Sequence, residues 1–367
     1  MASTYGIDRR MGFLDESAGG IAINAFRVDP LQDERWRDLV ARHPDASVFH
    51  RVEWLQALKD TYGYQPFVVT STPPGVPLQN GILVCEVCSL LTGKRLVSLP
   101  FSDHCEPLAS CPEEVNELFA TLVDRVANEH WRYVEFRPVS YSADADTGLR
   151  PGGAYHFHRL NLGPDEQTLF RRFHKDSIQR KIVRAEREGL RCEQGSSNEL
   201  LDPFYQLLLK TRRRHGLPPQ PRKWFRNLIA AFGADLNIWV AFKKETPVAS
   251  ILTIRHTKTL VYKYGCSDSR YNNLGGIPLL FWHAIRDARA SDIKELDMGR
   301  SDWNNSGLVK FKDRWGAQRS TMKYWRYPST ATPSRWQALA GRAKRLVMAA
   351  PDCVLVMLSN LAYRHIA

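Results

Sequence analysis

The sequence has no run of about 18 consecutive apolar residues, so it lacks an ordinary membrane-spanning helix. Met1 to Gly20 carries Asp8, Arg9, Arg10, Asp15 and Glu16 and no apolar core, which argues against a secretory signal and for a flexible leader. Neither the P-loop pattern nor the dinucleotide pattern of glycines is present, so kinase, ATPase and dehydrogenase readings lose support. Cysteine is sparse: seven residues, odd in number and scattered, form no disulfide framework and fit a reduced, cytoplasmic compartment. Cys85 and Cys88 make one Cys-x-x-Cys, but within the strand-like run Ile82 to Cys88 and without a second pair at zinc-ribbon spacing. They read as core, and no metal constellation is visible.

At 43% hydrophobic, 25% charged and 11% aromatic, the composition is that of a globular protein, which excludes fibrous and low-complexity classes. The 367 residues, at roughly 150 per domain, give two domains. Positive charge is in excess, +12 overall, and favours an anionic partner. It is unevenly spread: from Arg171 to Arg226 there are 15 Lys and Arg against 6 Asp and Glu, so this stretch holds +9 of the +12.

Apolar periodicity organises the chain as an α/β (α+β) protein with mixed sheets flanked by helices. In the first half, a strand from Ile21 to Val28 and helices over Asp29 to His43 and Glu53 to Tyr62 precede strands at Phe67 to Thr72, Gly81 to Ser89 and Arg95 to Leu99. An amphipathic helix from Pro112 to His130 and a strand at Tyr133 to Arg137 follow. The second half repeats that plan, with helices at Gln167 to Glu188, Glu199 to His215 and Arg222 to Phe232, three strands between Asn237 and Gly265, a helix from Ile277 to Ala290 and strands at Glu295 to Met298 and Met322 to Tyr327. Pro138 to Tyr155, rich in Ser, Asp, Gly and Pro, reads as a linker or excursion. The expected division is a leader over 1–20, domains over 21–160 and 161–330, and a helical tail over 331–367. That tail is apolar from Leu346 to Leu361, broken by Pro351 and Asp352 and preceded by Arg342, Lys344 and Arg345. It reads as a helix docking on the protein's own body or in a membrane interface.

Candidate anion contacts follow from the basic segment. Arg180, Arg184 and Arg187 recur at i, i+4 and i+7 on one helical face, opposite Ile178, Ile182 and Ala185. Four basic residues at the end of a helix, Arg214 among them, are followed after a Pro-rich turn by Arg222 and Lys223. Both patterns fit phosphate contact, and both fit a solvated basic surface. Arg270 to Gly276 lies between a strand and a helix, where glycines let backbone N–H groups approach a phosphate.

Lys181-Ile-Val-Arg-Ala-Glu-Arg-Glu-Gly189, Glu295-Leu-Asp-Met-Gly299 and Gly307-Leu-Val-Lys-Phe-Lys-Asp-Arg-Trp-Gly316 together resemble the FemAB-like branch of the GNAT-fold acyltransferases. Val48 to Trp54, Tyr62-Gly-Tyr64 and Leu99 to Asp103 are similar to the opening domain of exopolysaccharide- and PEP-CTERM-associated FemAB-like proteins, and the likeness covers about residues 21 to 330. The resemblance implies two tandem GNAT-like domains and transfer of an acyl or aminoacyl group to an amine of a cell-envelope, exopolysaccharide or peptidoglycan precursor. It implies no tightly bound cofactor, with acyl-CoA or aminoacyl-tRNA as anionic co-substrate and an amino-sugar or peptide-containing glycan precursor as acceptor. A lipid-linked acceptor would bring peripheral membrane contact at the tail. The Phe-Lys pair of the bridge-forming enzymes maps onto Phe311 and Lys312.

Amide formation needs a neutral amine, a polarised carbonyl and a proton acceptor. Lys312, helped by Lys310, is the candidate for carbonyl or phosphate charge, and Arg214 and Arg222 for a phosphate clamp. Asp297 and Asp302 flank Gly299-Arg-Ser at a strand end, where either carboxylate could take a proton. His104, on a loop, is a candidate channel residue, while His283 reads as core. The competing class is a non-catalytic RNA- or anion-binding protein on the same scaffold, for which the +9 segment would suffice.

Overall fold

The computed structural model describes residues 25–89, 93–143, 147–329, 347–348 and 350–366. The leader, the first part of the Ile21 to Val28 strand and the tail over 330–346 lie outside the described residues. The chain divides into two compact units: one runs through Gly153 and includes Lys323–Thr332, and the other comprises Ala154–Met322 and Pro333–Ile366.

In the first unit, β1 (Phe26–Val28) is followed by α1 (Glu34–Arg42), α2 (Val52–Tyr62), β2 (Gln65–Thr70), β3 (Ile82–Ser89), β4 (Gly93–Ser98), α3 (Pro112–Asn128) and β5 (Val134–Phe136). The strands β1 to β4 pair antiparallel in sequence order, and β5 joins β4 in parallel after the α3 crossover. α3 starts with Pro112 in its first turn and Glu113 and Glu114 beside it, which suits the positive helix end. Its face Val115, Leu118, Phe119, Leu122 and Val126 covers Phe67, Val84, Leu96 and Phe136 of the sheet. Phe119 and Phe136 meet with ring centroids 4.0 Å apart.

The second unit opens at Ala154, within β6 (Arg150–Asn161), a strand that occupies part of the stretch read as a linker. There follow α4 (Glu166–Arg172), α5 (Arg180–Arg187), β7 (Arg191–Gly195), α6 (Asn198–His215), α7 (Arg222–Phe232), β8 (Leu236–Lys243), β9 (Thr246–His256), β10 (Thr259–Ser267), α8 (Gly276–Ala290), β11 (Glu295–Asp302) and α9 (Ser306–Asp313). Its strands lie in the order β6-β11-β10-β9-β8-β7, antiparallel except for β10 with β11. That parallel pairing is confined to Thr259–Val261 against Glu295–Asp297, although β10 continues to Ser267 and β11 to Asp302.

The single helix expected over Gln167 to Glu188 is divided. At Phe173 the backbone turns extended, and the ring enters an aromatic cluster with Trp315 and Trp282, centroids 4.9 and 5.6 Å away. His174 then caps a π-helical turn, Lys175–Gln179, with Nδ1 accepting from Ser177 N. Burial of Phe173 outweighs helix continuity. The chain ends in β12 (Gln318–Tyr327), whose Trp325 to Tyr327 pair antiparallel with β5, and in α10 (Asp352–Ile366). α10 is joined to the second unit by the Arg213–Asp352 ion pair and by the Tyr363 hydroxyl, which donates to the Pro218 carbonyl at 2.9 Å. Among the described residues, no helix is long and apolar enough to cross a membrane.

Candidate active site

Where α8 begins, the second unit holds a cavity of about 270 Å³. The π-helical turn and α5 supply Ser177, Ile178 and Lys181, the β10–α8 turn supplies Tyr271 and Asn272, and the far wall is Phe311 of α9 with Arg314. Gly276 and Ile277, the first two residues of α8, face the same space. The helix has no side-chain cap, and first-turn N–H groups have no intrahelical partner. Partial positive charge of the helix end therefore adds to that of Lys181 and Arg314.

Glycine is required at this corner by geometry. Gly275 has φ +82°, and a Cβ there would lie 2.3 Å from the Lys181 carbonyl oxygen; a Cβ on Gly276 would lie 2.8 Å from that of Ala249. The start of α8 is thus pressed against α5 and β9 without side chains between them. Just upstream, the buried Asp268 carboxylate accepts from Lys210 Nζ at 2.8 Å and from the Arg270 guanidinium at 2.6 Å. Hydrogen bonding from Arg270, then from Lys210, holds that carboxyl well below the usual range.

A second polar cluster lies at the end of β11. Lys312, only 1% exposed, donates to the carbonyls of Gly299 and Arg300 at 2.8 and 2.9 Å. Gly299 has φ +70°, and its N–H donates to Asp297 Oδ1 at 2.6 Å. The carboxylate and the ammonium therefore grip the same turn from its two ends. Opposite, His158 Nε2 lies 3.2 Å from Asp313 Oδ1, while Nδ1 has no hydrogen-bond partner. Burial, then the Lys312 charge, pushes the His158 pKa down, so the imidazole is held neutral.

The structure brings Phe311 to the cavity, and puts Arg270 one residue from Tyr271 on its wall. Lys310 is exposed on the same helix as Phe311 but does not line the cavity, and Lys312 is turned to the β11 carbonyls. Asp302 is exposed at the end of β11, whereas Asp297 is buried. Arg180 pairs with Asp176 at 2.6 Å and Arg184 approaches Glu188 at 4.0 Å. Arg214 is exposed at the end of α6, Arg222 pairs with Asp202, and neither lines the cavity. His104 belongs to the first unit, buried with its ring edge-on to Phe49 at 5.1 Å. Tyr271, Asn272 and Gly276 of the cavity lie in the Arg270 to Gly276 turn read as a candidate phosphate contact, whereas Lys181, Arg314 and Ser177 are not among the sequence candidates. Lys181 and Arg314 stand inside the motifs that carry the family resemblance, which was the available signal.

Cys105 and His50 approach each other in the first unit without forming a thiol–base pair. Cys105 Sγ lies 3.3 Å from His50 Nε2, but Ser47 N donates to His50 Nδ1, so Nε2 carries the proton and gives it to the Glu106 carbonyl at 2.8 Å. That imidazole cannot accept a proton from the thiol, whose pKa burial pushes up to about 12. Among the described residues there is also no group of acidic, His and Cys side chains able to hold a metal ion.

Residues 172–313, which contain the cavity and the β11–α9 turn, match the acetyltransferase (GNAT) domain family. Over 270 residues the chain is 28% identical to UDP-N-acetylmuramoylpentapeptide-lysine N(6)-alanyltransferase of Weissella viridescens, covering 65% of this chain and 75% of that one. The structure of FemX superposes with a TM-score of 0.63 over 84% of this chain and 98% of its own, at 14% identity. The chain thus carries a GNAT acyltransferase domain over residues 172–313 and is similar to the FemAB-like acyltransferases. A tandem GNAT protein from the clavulanic acid biosynthesis pathway shares the fold with this chain at a TM-score of 0.51 and 13% identity, over 84% and 99% of the two chains. The α/β architecture and the FemAB-like resemblance read from the sequence both hold.

Proposed function

We propose that this acyltransferase moves an acyl or aminoacyl group from an anionic donor to an amine of a peptide-bearing cell-envelope glycan precursor. The observation that carries this reading is the uncapped start of α8, opening into a cavity between Lys181 and Arg314. A phosphate of acyl-CoA or of the aminoacyl-tRNA terminus meets there two cations and the N–H groups of Gly276 and Ile277. The relative from Weissella viridescens, named for alanyl transfer to the lysine of a muramoyl pentapeptide, supports an amine acceptor of that class.

In the proposed reaction the acceptor amine attacks the donor carbonyl, a C–N bond forms, and the C–O bond of an ester or the C–S bond of a thioester breaks, releasing the tRNA hydroxyl or the CoA thiol, which takes up one proton. The amine's proton leaves to a carboxylate or to water, and Asp302 is the member of the Asp297–Asp302 pair that stays open to a bound amine. Lys312 supplies a fixed positive charge beneath the Gly299–Arg300 turn, and Phe311 closes the donor side. Thermal protection by acyl-CoA and by aminoacyl-tRNA, tested separately on the wild type and on Lys181→Ala/Arg314→Ala, checks the donor site. At least one donor class should raise the melting temperature of the wild type, and the double variant should lose that shift. Protection that survives the double variant counts against this cavity.

A further inference from the structure

Trp303 stands in the turn between β11 and α9 and is 54% exposed, whereas every other described tryptophan is buried or half-buried. Leaving so large an apolar side chain in water forgoes a large share of the hydrophobic gain available to it. Yet the ring is held. His156 stacks on it with centroids 4.1 Å apart and planes inclined by 22°. His156 is itself placed by strand pairing opposite Ser301, next to the pair Tyr155 and Asp302. The Arg300 guanidinium lies 4.3 Å over the Tyr155 ring, so the base of this turn is built of stacked planar groups.

One indole face is thus covered by an imidazole, while the residue as a whole stays more than half exposed. Around it the turn exposes the carboxylate of Asp302 and the amide of Asn304. These offer hydroxyl acceptors and, from the amide, a donor. A fixed aromatic face beside short polar side chains matches a pyranose ring, whose C–H groups pack on the π face while its hydroxyls bond at the edge.

We propose that Trp303, seated on His156, is the stacking platform for a sugar ring of the acceptor. The platform follows directly on β11, the strand whose Gly299 and Arg300 carbonyls Lys312 holds, so a ring bound there is positioned from the same strand end as the candidate chemistry. A nucleobase also stacks on an exposed indole. The Asp302 carboxylate favours a hydroxyl-rich neutral ring over a nucleotide, whose phosphate it repels. The inference rests on the reading of the protein as a transferase acting on a glycan precursor, but binding can be tested without turnover.

Saturation-transfer NMR on the full chain, with tri-N-acetylchitotriose and uridine 5′-monophosphate as separate probes, is the direct test. Wild-type protein should transfer saturation to the sugar ring protons. Trp303→Ala should bind the sugar about ten-fold more weakly or not at all, Trp303→Phe should keep part of the signal, and His156→Ala should weaken it by loosening the indole. Circular dichroism of each variant should match the wild type, because Trp303 lies on the surface. A sugar signal absent from the wild type, or unchanged in Trp303→Ala, overturns the proposal, as does binding of uridine monophosphate alone through Trp303. Sugar binding through Trp303 in a protein that transfers no acyl group would instead contradict the transferase reading and leave the platform standing.

Discussion

Lys312 Nζ and the Gly299 carbonyl, 2.8 Å apart, tie α9 to the end of β11. A fully buried ammonium on a short helix is costly unless its donors are used. Here the carbonyls of Gly299 and Arg300 use two of them. Lys312→Met should therefore lower stability by about 1–3 kcal/mol, the cost of stranding buried acceptors. Urea unfolding measures this, and an unchanged midpoint would show that the turn does not depend on the ammonium. The same variant should lose acyl transfer by more than its loss of folded protein accounts for.

Gly275→Ala tests the corner at which α5 meets α8. Its positive φ and the 2.3 Å approach to the Lys181 carbonyl leave no room for a methyl group. The variant should lose about 1–3 kcal/mol of stability, and its donor protection should fall because Lys181 must move. Gly189→Ala, where a Cβ would meet nothing within 4 Å although φ is +66°, separates backbone strain from collision.

Asp268 fixes the acid dependence of the segment before α8. Its folded carboxyl is depressed by Arg270 and Lys210. The stability it contributes is present above the unfolded value of about 4 and is lost as pH falls through the folded value. Asp268→Asn should be less stable than the wild type at neutral pH, and the difference should shrink as pH is lowered below about 4. Unfolding midpoints across pH 2 to 7 follow this directly, and a constant difference would contradict it.

His158 has the opposite chemistry and the same direction of pH dependence. Burial and Lys312 lower its folded value, so the unfolded chain binds the proton more readily. Its contribution is present above about 6.5 and is lost as pH falls toward the folded value. His158→Gln should flatten the decline of stability between about pH 7 and 5. A titration of the His158 ring by NMR at or above the ordinary histidine value would refute the assignment.

Helices with a clean apolar stripe were legible: α3 and α8 stand within two residues of their expected bounds. β6 was not, because its Arg-Pro-Gly-Gly start has turn composition, and its pairing with β11, over Tyr155–Asn161, is a long-range contact with no local signal. The break between α4 and α5 has no local signal, since the pull comes from Trp282 and Trp315, more than a hundred positions away. The candidate site was readable as motifs but not as an arrangement. Lys181, Tyr271 and Arg314 come from three distant segments, and only the fold puts them around one cavity. Lys312 stands out in the sequence through the Phe-Lys resemblance, but its burial against the β11 carbonyls depends on where β11 ends and has no local signal.

Mass spectrometry of a muramoyl-pentapeptide acceptor, incubated with the purified chain and either an acyl-CoA pool or an aminoacyl-tRNA pool, tests the central claim most directly. Transfer predicts a product heavier by one acyl or aminoacyl group at the free amine, formed with one donor class and abolished in Lys181→Ala/Arg314→Ala. An acceptor mass unchanged with both pools, in a protein that still binds those donors, would contradict it and leave an anion-binding protein on an acyltransferase scaffold.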